Sequence, residues 1–262
     1  MKKLRIFFLL CTAVLLAVPE AFAQSSSLNG MSLNGAAGLY AVPSGRIGWS
    51  KKADVGLDFG SSYNFFSQNP IAKAGISLFD WVELSGAVDF QPKTHDMSNT
   101  DGILGVKLQL PTPNTGVAVG GNIQFLTLPD RQNTAGQIYV AISYLGDFFS
   151  WPADTSMAIG YTFLEGGNKN IDFGMGFDMT LVPNVLGNFV HLVVDFSNFS
   201  YSYQALGADA WIRGSLNTGF RINISAAPAL NKFKLVFDLV LLDILDSDRT
   251  IGMGFSFGLP LK

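Results

Sequence analysis

The chain has 262 residues, with 17 Lys and Arg against 20 Asp and Glu, and a single cysteine, Cys11. Only 14% of the residues are charged, against roughly 25% in a typical soluble domain, while 28 are glycine and 22 phenylalanine. The acidic balance disfavours nucleic-acid binding, and one cysteine excludes a disulfide framework and thiolate metal chemistry.

The opening stretch, MKKLRIFFLLCTAVLLAVPEAFAQ, places Lys2, Lys3 and Arg5 before an apolar run and ends on Ala21-Phe22-Ala23, a small-x-small cleavage pattern. This is the layout of a secretory signal over residues 1–23, with the mature chain expected to start near Gln24. Cys11 sits too early, and without small residues before it, for a lipoprotein signal. Loss of Lys2, Lys3, Arg5 and Glu20 takes the 17 basic and 20 acidic residues to 14 and 19, a formal charge of −5. Residues 24–50 form an N-terminal segment that either lies below the following domain in the periplasm or enters it as a partial plug.

From residue 51 to 262 the dominant signal is alternation with period two, in pieces of about ten residues. In 82–91, Val82, Leu84, Gly86, Val88 and Phe90 oppose Glu83, Ser85, Ala87, Asp89 and Gln91. In 171–180, Ile171, Phe173, Met175, Phe177 and Met179 oppose Asp172, Gly174, Gly176, Asp178 and Thr180. The pattern predicts strands at 52–63, 70–79, 82–91, 102–110, 115–126, 135–145, 155–164, 170–180, 187–197, 210–225, 232–242 and 249–258. Connections at 79–81, 111–114, 182–187 and 226–231 fall on one end. More polar ones at 92–101, 128–135, 165–170 and 243–249 fall on the other. GDFFSWPAD, 146–154, reads as a long connection on the short-turn end.

A β-sandwich also has regular short strands, but its solvent face carries many Lys and Glu. Here the weakly apolar faces hold Gly, Ala, Ser, Asn and isolated Asp. The fold expected is therefore all-β, a transmembrane antiparallel up-and-down β-barrel of about 12 strands, with 10 or 14 as alternatives. A closed sheet pairs every backbone group within lipid.

The last strand, TIGMGFSF, has a polar residue, a glycine two further on and two alternating aromatics: Thr250, Gly252, Phe255 and Phe257. It resembles the terminal signal by which the barrel-assembly machinery recognises its substrates. The signal peptide, strand number and terminal pattern together resemble a bacterial outer-membrane β-barrel protein. GLYAVPSGRIG, 38–48, is similar to the opening of some Gram-negative barrel families. The resemblance implies the bacterial outer membrane as location, with its lipid and the assembly machinery as partners.

Parity carried around the barrel puts Asp54, Asp58, Glu83, Asp89, Asp172, Asp178, Asp195, Asp209 and Asp238 on the inner wall, facing Lys73, Lys107, Arg213, Arg221 and Lys234. These groups either form an internal salt-bridge network or set the selectivity of a pore, where an acidic excess favours cations or polar neutral solutes. Inward glycines, among them Gly56, Gly60, Gly174 and Gly252, either widen a pore or let a plug pack closely. His191 falls on the inner parity and His95 on an outer loop, neither with a metal or triad partner visible in the sequence. No catalytic residue, cofactor or metal is therefore expected. Trp49, Trp81 and Trp151, with Phe79, Phe148 and Phe149, suit an aromatic girdle, and DFSNFSYSYQ, 195–204, leads into an outer loop. The function expected is a passive channel or porin-like transporter of small polar solutes or ions. The alternative is a closed structural or surface-interaction barrel, adhesin-like, with partner-binding outer loops.

Overall fold

The structure, a computed structural model, describes residues 30–49, 53–65, 68–90, 100–112, 115–128, 131–164, 171–199, 214–247 and 249–261. The signal-like residues 1–23 lie outside the described residues, as do His95, Asp209, Arg213, the connection at 165–170 and most of that at 92–101.

Two short strands, β1 (Gly30–Met31) and β2 (Ala37–Gly38), pair with each other. Twelve longer ones follow: β3 (Val55–Asn64), β4 (Asn69–Leu78), β5 (Val82–Phe90), β6 (Thr100–Leu110), β7 (Thr115–Leu128), β8 (Arg131–Phe148), β9 (Trp151–Phe163), β10 (Asp172–Thr180), β11 (Val190–Ser197), β12 (Ser215–Asn223), β13 (Lys234–Leu242) and β14 (Thr250–Leu261). Each pairs antiparallel with its chain neighbours, and β14 closes on β3, so the sheet is a twelve-stranded up-and-down barrel.

The side-chain period of two produces two different surfaces. Outward stand Phe59, Leu84, Leu104, Ile123, Phe220, Leu239 and Phe255, all exposed, as an apolar wall requires when lipid is its solvent. Inward, the alternate residues are buried, and many are small or polar.

Several boundaries differ from those the pattern predicts. The polar stretch 128–135 is not a loop, because β7 and β8 run on to a turn at 129–130, with Leu128 opposite Arg131. Beyond the lipid band a ladder no longer needs apolar residues, so hydropathy loses sight of it. The supposed long connection at 146–154 is a hairpin: Phe148 pairs with Trp151, and Phe149 and Ser150 have φ of 53° and 68°. Two successive positive φ values fit the tight hairpin turn usually marked by Asn-Gly, and that signature is missing here. The strand placed at 187–197 starts at Val190, after a helical turn α1 (Pro183–Leu186) with Pro at its start. The strand placed at 210–225 ends at Asn223 in two 3-10 turns.

The tail past TIGMGFSF continues β14, pairing Leu259 with Leu57 and Leu261 with Val55. Pairing with β13 stops at Gly258, so Pro260 sits where β14 has one open edge and a missing N–H is tolerated.

Candidate functional site in the lumen

Residues 30–49 run inside the barrel. Almost all are buried, and their partners lie on strands all around the wall. The segment is short on charge and rich in Gly, Ser and Ala, so its main chain approaches the wall closely. β1 and β2 frame a small hairpin, closed by hydrogen bonds from Ser32 N–H to Ala36 O and from Leu33 N–H to Tyr40 O. The chain then turns at Pro43, with Leu39 N–H donating to Val42 O, and returns through Ser44 and Arg46 to Trp49.

The wall holds this segment through its backbone. Glu83 on β5 accepts two N–H groups, from Ala37 at 2.9 Å and from Gly48 at 2.8 Å. Asp195 on β11 accepts the Ala41 N–H at 2.7 Å. Lys107 on β6 donates to Ala37 O at 3.1 Å and to Arg46 O at 2.9 Å. Lys73 on β4 donates to Met31 O at 3.1 Å, and Arg221 on β12 to Gly38 O at 3.3 Å. Gln109 takes the Ile47 N–H and Ser143 that of Gly45. Hydrogen bonds to charged partners stabilise by about 1.5–3 kcal/mol each, and an unmade one in a buried setting costs a similar amount.

The wall charges also pair with one another. Glu83 and Lys107 are direct cross-strand partners, 2.9 Å apart. Arg221 binds Asp238 through two nitrogens at 2.7 and 3.1 Å and reaches Asp178 at 2.9 Å. Lys234 reaches Asp58 at 3.0 Å across the intervening β14, where Gly258 stands between them. A Cβ on Gly258 would lie 2.8 Å from the Trp49 ring and 3.0 Å from Lys234 Cβ, so this bridge depends on a residue without a side chain. Lys234 also sits 5.1 Å above the Trp49 ring.

Nearer the other end, Asp89 accepts from Asn69 at 2.7 Å, and Asp172 from Thr162 and Gln137 at 2.5 and 3.0 Å.

Around the tip of the segment the lumen is apolar. Leu33, Leu39, Tyr40 and Val42 form one buried cluster with Ile71, Ile103, Tyr139, Val193, Phe199, Val240 and Leu242. Burial, with Asp238 and Asp195 nearby, pushes the Tyr40 phenol well above its usual range, so it stays a neutral hydroxyl, bonded to Ser62. The inward glycines are occupied positions. A Cβ on Gly252 would stand 2.7 Å from the Tyr40 hydroxyl, one on Gly60 would stand 3.0 Å from Met31 Sδ, and one on Gly174 would stand 2.8 Å from Val42.

Of the residues expected on the inner wall, Asp58, Lys73, Glu83, Asp89, Lys107, Asp172, Asp178, Asp195, Arg221, Lys234 and Asp238 are buried there. Asp54 is not. It is exposed just before β3, where its carbonyl accepts the Phe79 N–H, because the alternation was carried past the point at which the chain joins the sheet. Trp49 leaves the girdle for the lumen, only 4% exposed, while Phe79, Trp81 and Phe149 are exposed at the turns of the short-turn end.

His191 does have a partner, with Nδ1 2.5 Å from Asp178 and Nε2 3.1 Å from Asn188 O. The two residues are not directly opposite, and parity alone does not show the diagonal contact.

Asp154 was missed. It binds Arg46 at 3.2 Å, and one more step of the Ser156, Ala158, Gly160 alternation would have reached it. Among the described residues no cluster of three or more His, Cys, Asp and Glu could hold a metal.

No protein-family model matches the chain, and no curated protein matches it. Among solved structures it is similar to the KdgM porin in complex with disordered oligogalacturonate, with a TM-score of 0.50 and 6% identity over 79% of this chain and 99% of that one. The chain has the fold of a bacterial outer-membrane β-barrel. Weaker likenesses are to the Acinetobacter baumannii outer membrane protein Omp33, at a TM-score of 0.45 and 11% identity over 80% of this chain and 98% of that one, and to the NanC porin. The latter has a TM-score of 0.44 and 13% identity over 79% of this chain and 99% of that one. In this barrel Thr250, Gly252, Phe255 and Phe257 all lie on the closing strand. Phe255 is exposed on the outer face, and Phe257 stacks on Phe233 with ring centroids 6.3 Å apart.

Proposed function

We propose that this protein is a porin-like channel of the bacterial outer membrane for small polar solutes or ions, closed by residues 30–49, which act as its plug. One observation carries the reading: the segment in the lumen is held by side chains and forms no ladder with the barrel wall. Its withdrawal breaks hydrogen bonds and ion pairs but no barrel strand. The wall it leaves behind is lined by charged groups with carboxylates in excess, which favours cations and polar neutral solutes. The role is transport, with no catalytic step.

The test is single-channel conductance in planar bilayers. The unaltered protein is expected to pass little current. The variant Ala37→Pro, Ala41→Pro lacks the N–H groups that Glu83 and Asp195 accept, and it is expected to show long open events. Asp89→Asn and Asp178→Asn in that background are expected to lower cation preference. Absence of current from the double-proline variant, correctly folded by heat-modifiable migration, refutes the channel.

The filled lumen also favours a second reading, a closed structural or surface-interaction barrel whose outer loops meet partners, and that same absence of current would support it.

A further inference from the structure

The groups that grip residues 30–49 have a common feature: they bind the main chain. Glu83 and Asp195 take N–H groups, while Lys73, Lys107 and Arg221 give protons to C=O groups. Acceptors and donors thus serve the two faces of one repeating unit, the peptide amide. At Ala37 both are used on one residue, with its N–H on Glu83 and its C=O on Lys107. A free cation would satisfy the carboxylates and leave the ammonium and guanidinium groups bare, and an acidic sugar would meet Glu83 and Asp195 with like charge.

The fit also sets residue size. A Cβ on Gly48 would lie 2.6 Å from an Asp58 oxygen and 3.0 Å from Lys234 Nζ, and one on Gly45 would lie 2.8 Å from Ser143 N. Only small residues bring their backbone to the wall at these points.

We infer that the lumen is a binding site for an extended, small-residue peptide, recognised through its backbone, with residues 30–49 as its resident occupant. Resting on the channel reading above, this makes oligopeptides the solute class that the open barrel selects.

The experiment uses the whole chain, with Ala37→Pro and Ala41→Pro and a site-specific protease site inserted between Trp49 and Ala53. It is folded intact, then cut and freed of the segment. Fluorescence anisotropy then follows three labelled probes: a peptide of sequence 30–49, a peptide of the same composition in shuffled order, and an acidic oligosaccharide of similar length.

Both peptides are expected to bind within about tenfold of each other and the saccharide far more weakly. Glu83→Gln is expected to weaken both by about tenfold, as loss of a charge-assisted hydrogen bond should. Binding of the native order alone, equal binding of the saccharide, or no peptide binding overturns the inference. Conductance of the same sample separates the two readings. Current without peptide binding leaves the channel and removes the site, and peptide binding without current does the reverse. Should the double-proline variant not fold, the cut protein without prolines gives the same answer. Excess shuffled peptide must then release the native segment, detected by mass, and its failure to do so refutes the site.

Discussion

Glu83 and Lys107 stand directly opposite each other on β5 and β6, 2.9 Å apart, and both hold the same residue of the lumenal segment, Ala37. The ion pair is therefore part of the wall and part of the plug's socket. Both side chains are almost wholly buried, so neither has water to replace the other.

Removing one partner should leave an uncompensated buried charge, at a cost of about 3–5 kcal/mol. Lys107→Met and Glu83→Gln are each expected to lower unfolding stability strongly, while the double variant loses clearly less than the two together. Urea titration of the barrel in lipid vesicles measures the cycle, and strictly additive losses would show that the two groups act independently.

The plug hairpin depends on a close approach at Gly38, where a Cβ would lie 2.9 Å from Pro43 Cα and 3.0 Å from Ser44 N. Both neighbours are backbone and cannot swing aside. Gly38→Leu is expected to unseat residues 30–49 and expose Arg46, whose side chain is 11% exposed in the closed form. Trypsin should then cut after Arg46 in the variant and spare the unaltered protein, with heat-modifiable migration unchanged in both. Equal cleavage of the two proteins would count against a seated plug.

Leu104 and Ile171 are each 62% exposed, yet they sit at different depths. Leu104 lies within β6, and Ile171 just precedes β10 at the end away from the short turns. A lysine at the bilayer midplane costs about 2–4 kcal/mol, and one near the interface about 0–1. Leu104→Lys should therefore destabilise the vesicle-inserted barrel far more than Ile171→Lys. Similar losses at both positions would mean that lipid does not solvate this face.

Phe255 and Phe257 belong to the terminal pattern proposed to address the chain to the assembly machinery. The double change Phe255→Ala, Phe257→Ala is expected to slow assembly into membranes containing that machinery several-fold, and to alter folding into detergent much less. An equal slowing in both settings would mean that these rings serve packing alone, through contacts such as Phe257 on Phe233.

The barrel was legible in the sequence because lipid and lumen impose opposite demands on successive residues, and a period of two records those demands directly. Glu83, Lys107, Asp178 and Arg221 could be placed on the inner wall by counting alone. The count failed where the demand stops, at Asp54 before the first barrel strand and at 128–135 beyond the lipid band. It also failed at Phe149-Ser150, a tight turn without turn residues.

Which inward groups meet each other was settled only by tertiary structure. Lys234 reaches Asp58 across a whole strand because Gly258 leaves room, and His191 finds Asp178 along a diagonal. The place of residues 30–49 was likewise beyond local pattern. Nothing in a Gly, Ser and Ala-rich stretch distinguishes a segment below the barrel from one inside it, since its contacts come from side chains up to 183 positions away, as with Gly38 and Arg221. Alternation determined the wall, because it is local physics repeated twelve times. Closure of β14 on β3 decided the filling of the lumen, because only then do distant side chains converge on one short length of backbone.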